Sequence, residues 1–341
     1  MKLAGMKRAV KEWGTRLFYY SGAYHIINRL LGRGGLYIVG YHRLSENLPD
    51  DQVHVLAVTR QNFEDHLRFY GKYFELISMD EVEPLLRQGK LIKDYMAVTF
   101  DDGYRDNYTL GHDLFRKYDI VPTIYLTAGP IDRRHVLWTD VIDAIVASFH
   151  GPEIQLKLVD LSGTFPLSTP AERTLLCEAI KNEIKRYDEQ YKRAAIEELI
   201  RLFDAKLTLD DSLIIDWSEV QELAESGVIM GSHTVNHPTL SKIVHEDAVQ
   251  EVTESRRLIE ERLGRTVKHF AYPYGKREDY TPALKESLSQ LYTTSVTAIS
   301  GVNRPGQDLH ELKRVIVENI SVHQLRVRLL KQKISSPLKT S

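Results

Sequence analysis

Residues 96–103 read MAVTFDDG, an apolar run that ends in two carboxylates and a glycine. A short, continuously apolar run is typical of a strand buried on both faces of a parallel sheet. Similar runs alternate with helical patterns at intervals of ~25 residues, which indicates βαβ units. Strands are predicted at residues 36–39, 74–77, 96–100, 123–126, 228–231, 268–271, 291–294 and 314–317. About seven strand–helix units result, which is enough to close a barrel.

The alternation is interrupted between residues 140 and 213. Residues 171–203 are charged and helix-prone and contain no strand candidate. Because a compact domain rarely contains so long a structureless connection, we predict a largely helical insertion there. The predicted order is an N-terminal helix (residues 1–34), a barrel with this insertion (35–320), and a C-terminal helix and tail (321–341).

The first 33 residues form a basic arm with seven basic side chains and one acid. Apolar residues recur in it at alternating steps of three and four, the stripe of an amphipathic helix. They are Val10, Trp13, Leu17, Tyr20, Tyr24, Ile27 and Leu31. Such a stripe usually packs on the rest of the protein, and this is the first interpretation. The second is peripheral contact with an anionic membrane surface.

The composition is that of an ordinary soluble globular protein, with 43% hydrophobic and 27% charged residues among 341. The net charge of −2 gives no reason to expect nucleic acid as a partner. A single cysteine, Cys177, cannot form an internal disulfide, and no apolar run approaches the ~18 residues of a membrane-spanning helix. The basic start also lacks the apolar core of a cleavable signal peptide. We therefore expect a protein of the cytoplasm, or one peripheral to the cytoplasmic membrane.

Asp101 and Asp102 leave the predicted central strand together. Adjacent carboxylates at the end of a buried strand repel each other and lose solvation unless a cation neutralises at least one of them. The alternative is a solvated turn, because Asp-Asp-Gly is common turn chemistry.

Two histidines follow another predicted strand, in the segment GSHTVNHP at residues 231–238. His233 and His237 can face one ion if the segment makes a helical turn, although Pro238 prevents an ordinary helix from continuing. With 13 histidines in the chain, such a pair can also arise by chance. Joined to Asp102, the pair offers one oxygen and two nitrogen ligands with positions left open for water. That is the pattern of a catalytic, zinc-type site.

A third motif, FAYPYG at residues 270–275, places a proline and a glycine among aromatic residues. These residues indicate a tight loop. The loop is either a plain turn or a lining of the site, in which case one of its amide N–H groups could meet a developing oxyanion.

In this order, TFDDGY, HTVNH and FAYPYG resemble the motifs of the polysaccharide deacetylases with NodB-type homology. These are carbohydrate esterases that remove acetyl groups from N-acetylated sugars. The resemblance spans residues 36–318 and implies an α/β fold, a distorted (β/α)7-type barrel, with one divalent metal ion, most often zinc. It also implies an N-acetylated glycan as the substrate, in a polysaccharide or a lipid-linked precursor.

The resemblance also implies a role for particular residues. Asp101 would be the general base, Asp102, His233 and His237 the metal ligands, and the Tyr274 N–H, next to Pro273, the oxyanion donor. The early Tyr41-His42-Arg43 is similar to a subgroup of biofilm-polysaccharide deacetylases, in which His42 would donate a proton to the leaving amine. His310 is the alternative proton donor, and we favour His42. Tyr104, Tyr272 and Trp138 are predicted sugar-stacking faces, although Trp138 could equally anchor the insertion.

The sequence departs from the family pattern at Ala271, where an arginine usually supports the catalytic aspartate. Arg314, in the last predicted strand, could supply that cation instead, or be a plain surface charge. Two other functions stay open: hydrolysis of a small cyclic amide on the same scaffold, and non-catalytic glycan binding. Asp101 argues against the binding module, because binding alone does not require a spare carboxylate beside a metal.

Overall fold

The computed structural model describes residues 34–48, 56–133, 135–205 and 211–336, with residue 207 and a few isolated positions before residue 34. A parallel sheet with helices around it forms the centre of this part of the chain. The strands are β1 (Leu36–Tyr41), β2 (Arg43–Ser45), β3 (Ala57–Thr59), β4 (Glu75–Leu76), β5 (Tyr95–Asp102), β6 (Thr123–Leu126), β7 (Glu153–Lys157), β8 (Ser162–Pro166), β9 (Ile229–Ser232), β10 (His269–Ala271), β11 (Thr294–Val296) and β12 (Val315–Ile316).

The main sheet curls into an incomplete barrel. Its strands run in the order β11-β10-β9-β6-β5-β1-β12, and β4 adds to the start of β5. All of these neighbours pair in parallel. An isolated parallel bridge between Val296 and Leu312 links β11 to the segment just before β12. The sequence-based prediction of a distorted barrel with about seven strands is confirmed.

Helices follow or precede most strands, as βαβ units require. They are α1 (Arg60–Tyr73), α2 (Val82–Arg87), α3 (His112–Lys117), α4 (Ala128–Arg133), α5 (Trp138–Ser148), α6 (Pro170–Ile184), α7 (Glu189–Leu202), α8 (Trp217–Glu225), α9 (His245–Leu263), α10 (Pro282–Leu291) and α11 (Val322–Ser335). One predicted strand is displaced. It was expected at residues 291–294 but begins at Thr294, because α10 extends to Leu291 and the Tyr292 N–H still donates to the Leu288 carbonyl.

The insertion is less purely helical than predicted. Helices α5, α6 and α7 are accompanied by an antiparallel hairpin of β7 and β8. In β7, Ile154 and Leu156 are buried while their neighbours are exposed, and this alternation with a period of two is typical of a strand. The hairpin and the helices share an apolar cluster of their own, which includes Cys177. The insertion is thus a compact layer with a separate core.

A helix is predicted at each end of the chain, and the structure describes the C-terminal one. Most of the predicted N-terminal helix lies outside the described residues, so its packing and its membrane contact stay predictions. The predicted C-terminal helix is present as α11, which contacts α1 and contributes Leu325 and Leu329 to the main apolar core. Within the described residues, no helix is both long enough and apolar enough to cross a membrane.

Candidate active site

Polar segments meet where neighbouring strands of the barrel end. β5 ends at Asp102, β9 ends just before His233, and β1 ends just before His42. Because parallel strands point the same way, their carboxyl ends share one rim of the barrel. A cavity of about 440 Å³ opens there. The predicted site residues that line it are His42, Asp101, Asp102, Tyr104, His233, His237, Tyr272, Tyr274 and Arg314.

Asp102, His233 and His237 form a compact, buried set of candidate metal ligands. Asp102 Oδ1 lies 3.6 Å from His233 Nε2 and 3.5 Å from His237 Nε2, and the candidate ligand atoms all lie within 4.8 Å of one another. Among the described residues, this Oδ1 atom has no hydrogen-bond partner although it is buried. A buried carboxylate oxygen that faces two imidazole nitrogens and has no partner fits a shared divalent cation.

The electrostatics of the three residues agree with this fit. Burial, together with the charges of Asp101 and Asp140, raises the pKa of Asp102 well above its usual value. Burial also lowers the pKa values of His233 and His237. The neutral imidazole is the form that binds a metal, and a cation beside Asp102 would restore its ionised form.

His233 is held in a defined tautomer. Its Nδ1–H donates to the Ala271 carbonyl oxygen at 2.7 Å. The Nε2 atom therefore carries the lone pair and faces Asp102. A backbone carbonyl behind a histidine is the usual support for an imidazole ligand.

The backbone is strained at this site. Four of the six non-glycine residues with positive φ in the described part of the chain are Asp102 (77°), Thr234 (70°), His237 (55°) and Tyr274 (60°). Each such residue costs about 1–3 kcal/mol and persists only where the surroundings hold it. Asp102 and His237 are candidate metal ligands, so the strained backbone lies in the segments that position those ligands.

Glu251, which no sequence pattern marks as a site residue, holds the histidine loop. From α9, its carboxylate accepts hydrogen bonds from the N–H groups of Val235 and Asn236, each at 2.9 Å, and from the Asn236 side chain at 2.6 Å. The Thr234 hydroxyl oxygen also accepts a hydrogen bond from the His237 N–H at 3.0 Å. No local motif marks Glu251, because it is one of many acids on the polar face of a helix.

Asp101 and Arg314 form a buried, bidentate ion pair. Nη1 donates to Oδ1 and Nη2 to Oδ2, each at 2.7 Å, and Nε donates to the Thr297 carbonyl at 2.8 Å. The guanidinium passes Gly40, where a Cβ atom would lie 3.5 Å from Nη1 and 2.8 Å from the Ile316 side chain. Arg314 thus provides the cation that Ala271 cannot.

The pair fixes the charge of the catalytic candidate. Burial alone would raise the pKa of Asp101, but the charge and hydrogen bonds of Arg314, with His233, outweigh it and hold this pKa well below its usual range. Asp101 is therefore ionised at neutral pH.

Arg314→Met should destabilise the protein by about 3–5 kcal/mol, because it leaves the Asp101 carboxylate buried without a counter-ion. The native pair's contribution is fully present above the ordinary carboxyl pKa of ~3.9 and is lost as the pH falls through the lowered pKa. In the variant, burial without a counter-ion would raise the pKa of Asp101, so its carboxyl group would be protonated at low pH. The difference in the free energy of unfolding between the wild type and the variant should therefore shrink as the pH falls. Denaturant unfolding of both proteins at several pH values measures this difference.

Arg60→Met is the matched control for that variant. Arg60 makes a similar two-point pair with Asp113, but at the surface, where an ion pair contributes roughly 0–1 kcal/mol. An Arg314→Met loss no larger than that of the control would contradict the prediction.

The structure separates the two histidines considered as proton donors. His42 Nε2 lies 3.9 Å from Asp101 Oδ2, and burial lowers the pKa of His42 to about 4. His310 does not line the cavity, and its Nδ1 lies 3.2 Å from the Ser295 hydroxyl oxygen. Of the two, the structure places His42 beside Asp101.

The aromatic candidates are less open than predicted. Tyr272 is 1% exposed and stacks on Tyr280 with ring centroids 4.0 Å apart, so its ring presents no open face to a sugar. Tyr104 has the Arg43 guanidinium 5.0 Å from its ring centroid. Trp138 belongs to the partly buried residues packed on the insertion's core, in agreement with an anchoring role.

The loop at residues 272–275 lies against the histidines. The Tyr274 ring packs edge-on against His237 with centroids 4.8 Å apart, and the Trp138 indole N–H donates to the Tyr274 hydroxyl at 3.0 Å. The Pro273 carbonyl accepts a hydrogen bond from the Gly275 N–H at 2.6 Å, which makes the turn tight. The Tyr274 side chain thus ties the loop to the insertion, while its oxyanion role stays a prediction.

The insertion supplies a wall of the cavity that the sequence analysis did not predict. α5 contributes Asp140 and Asp143, α6 contributes Cys177 and Lys181, and Lys185 directly follows the end of α6. Cys177, Lys181 and Lys185 follow one another at steps of four and so lie on one side of the helix. The spacing is visible in the sequence, but it does not predict that this side of the helix lines the cavity.

A barrel with acidic, imidazole and guanidinium groups gathered at the carboxyl ends of its strands defines a hydrolase-like site. The family model for polysaccharide deacetylases matches residues 88–292, more than half of the 341 residues. The chain belongs to the polysaccharide deacetylase family. It is accordingly a hydrolase of carbon–nitrogen bonds other than peptide bonds.

Similar proteins cover most of the chain. YxkH of Bacillus subtilis (strain 168), provisionally classed as a polysaccharide deacetylase, is 21% identical over 282 residues, which are 82% of this chain and 70% of YxkH. The deacetylase PplD of Streptococcus pyogenes, solved with acetate, has 17% identity and a TM-score of 0.58 over 88% of this chain and 99% of PplD. IcaB from Ammonifex degensii has 19% identity and a TM-score of 0.55 over 89% of this chain and 98% of IcaB. At these identities the two structures show a shared fold.

Proposed function

We propose that the chain hydrolyses N-acetyl groups of an N-acetylated sugar, in a polysaccharide or a lipid-linked glycan, with one divalent metal ion, zinc. The observation that carries the proposal is the placement of Asp101 and its arginine beside the Asp102, His233 and His237 set in one cavity. Family membership supports a glycan substrate.

Asp102, His233 and His237 would hold the ion. When bound, it would polarise the acetyl carbonyl and lower the pKa of water towards ~7. Asp101 would accept a proton from the attacking water at a carboxylate oxygen, and Arg314 keeps that carboxylate ionised and fixed. The Tyr274 N–H would donate to the developing oxyanion. A carbon–oxygen bond forms, the amide carbon–nitrogen bond breaks, and the products are acetate and a sugar amine.

The leaving nitrogen needs a proton, and His42 would deliver it. Its Nε2 atom lies 3.9 Å from Asp101 Oδ2, close to the group that receives the proton of water. Because burial lowers the pKa of His42 to about 4, its imidazole is neutral at neutral pH, so the proton that it gives to the leaving nitrogen would be the one that Asp101 accepts from water. Asp101 and His42 would therefore act in sequence, as the base and then the acid.

The test is acetate release from N-acetylglucosamine oligomers by protein that has been stripped of metal and then reloaded. We expect acetate and new amines in equal amounts with zinc, and a loss of at least about 100-fold in rate without it. Release of product from small cyclic amides alone would indicate the other hydrolase function. Binding of the oligomers without turnover in the zinc-loaded protein would indicate a glycan-binding module.

A further inference from the structure

The carboxylate of Asp140, in the cavity wall, is buried and forms no salt bridge within the described part of the chain. Asp140, in the first turn of α5, lines the cavity and is 9% exposed. Its oxygens accept hydrogen bonds from the Tyr104 hydroxyl at 3.1 and 3.2 Å. Among the described residues, no cationic side chain forms a salt bridge with it.

The two cations whose charges act on Asp140, Arg43 and Lys181, each have a carboxylate partner of their own. Arg43 Nε donates to Asp106 Oδ2 at 3.0 Å, and the Lys181 ammonium pairs with Asp143 at 2.6 Å. The charges of both cations still lower the pKa of Asp140, but neither cation forms a salt bridge with it. The first turn of a helix stabilises an anion only partly. Burial raises the pKa of Asp140 to about 6, so its carboxylate is still mostly ionised at neutral pH.

A buried, ionised carboxylate costs free energy unless a cation or several hydrogen bonds compensate it. Asp140 lines the cavity of about 440 Å³, which is within the range of ~300–1,000 Å³ for small-molecule pockets. A cation that enters with the substrate would supply the missing charge. In an N-acetylated glycan that is being deacetylated, this cation is the ammonium of a neighbouring amino sugar.

Resting on the proposed function, we propose that Asp140 binds the ammonium group of an already deacetylated sugar next to the N-acetylated unit at Asp101. The preferred substrate class is then a partially deacetylated glycan. Asp140 is a specificity-determining residue, and the insertion that carries it selects the substrate.

The first experiment compares two oligomers of equal length, one fully N-acetylated and one with a single glucosamine unit. We expect wild-type kcat/KM to be about tenfold higher for the oligomer with the amine, the size of effect that a charge-assisted hydrogen bond produces. Asp140→Asn keeps an acceptor for Tyr104 but removes the charge, so the ratio should fall to about one. Asp247→Asn, in the exposed first turn of α9, is the matched control and should keep the wild-type ratio.

A binding measurement gives an independent readout. Calorimetry with the glucosamine disaccharide should show about tenfold weaker binding to Asp140→Asn than to the wild type. A wild-type ratio of one, or equal binding by both proteins, would overturn the role of Asp140 and leave the deacetylase proposal standing. A changed metal content with equal losses on both oligomers would also overturn it, because Asp140 would then act on the metal. Absence of acetate release from both oligomers would instead overturn the proposed function, and the binding result would still decide the role of Asp140.

Discussion

Asp101→Asn is expected to lower the rate of acetate release by about 10²–10⁴-fold, the range for loss of a positioned general base. The amide cannot take a proton from water, although it is nearly the same size as the carboxylate. Because Asp101 does not belong to the three-residue ligand set, the metal content should stay near that of the wild type. Acetate assays and elemental analysis of the same preparation measure both quantities.

Asp113→Asn is the control for this variant. Asp113 pairs with an arginine at the surface and does not line the cavity, so its loss should leave both readouts unchanged. If Asp101→Asn released the metal, Asp101 would be a ligand, and its assignment as the base would be wrong. If it kept the full rate, another group would be the base.

His237→Gln is expected to remove both the metal and the activity. Loss of a group that only orients a ligand already costs 10- to 100-fold in metal affinity or activity, so loss of a ligand should cost more than about 100-fold in affinity. Metal titration followed by elemental analysis measures the affinity. Acetate release at saturating metal separates a weakened site from a disabled one.

His112→Gln serves as the comparison for His237→Gln. His112 lies outside the cavity, where its Nε2 is 2.9 Å from the Ser226 hydroxyl oxygen. The metal affinity and the activity of the His112→Gln protein should equal those of the wild type. A His237→Gln protein that bound metal as tightly as this control would show that the ligand set has been misassigned.

The rim of the barrel was predictable because each chemical motif directly follows a strand. Asp101 and Asp102 end β5, and His233 follows β9, so the alternation of strands and helices is enough to bring them to one edge. For Arg314, the sequence allows both a pairing with Asp101 and a plain surface charge. The geometry, with two contacts of 2.7 Å, favours one of them.

The cavity wall was not predictable in the same way. Asp140 and Lys181 lie in an insertion whose orientation depends on its own apolar core and not on the strand order. Glu251 is one acid among several on the polar face of α9, and only the folded loop at Val235 and Asn236 gives it a distinct role. The packing of Tyr272 on Tyr280 likewise depends on the path of a loop, which sequence periodicity does not report.

The buried ion pair has a consequence for biosynthesis. Arg314 lies 213 residues after Asp101, on the far side of all three candidate ligands in the chain. During translation, Asp102, His233 and His237 are therefore synthesised before Arg314 is added to the chain. Completion of the catalytic centre must wait until β12 docks beside β1, so chains that terminate before that strand would carry a ligand set without a working base.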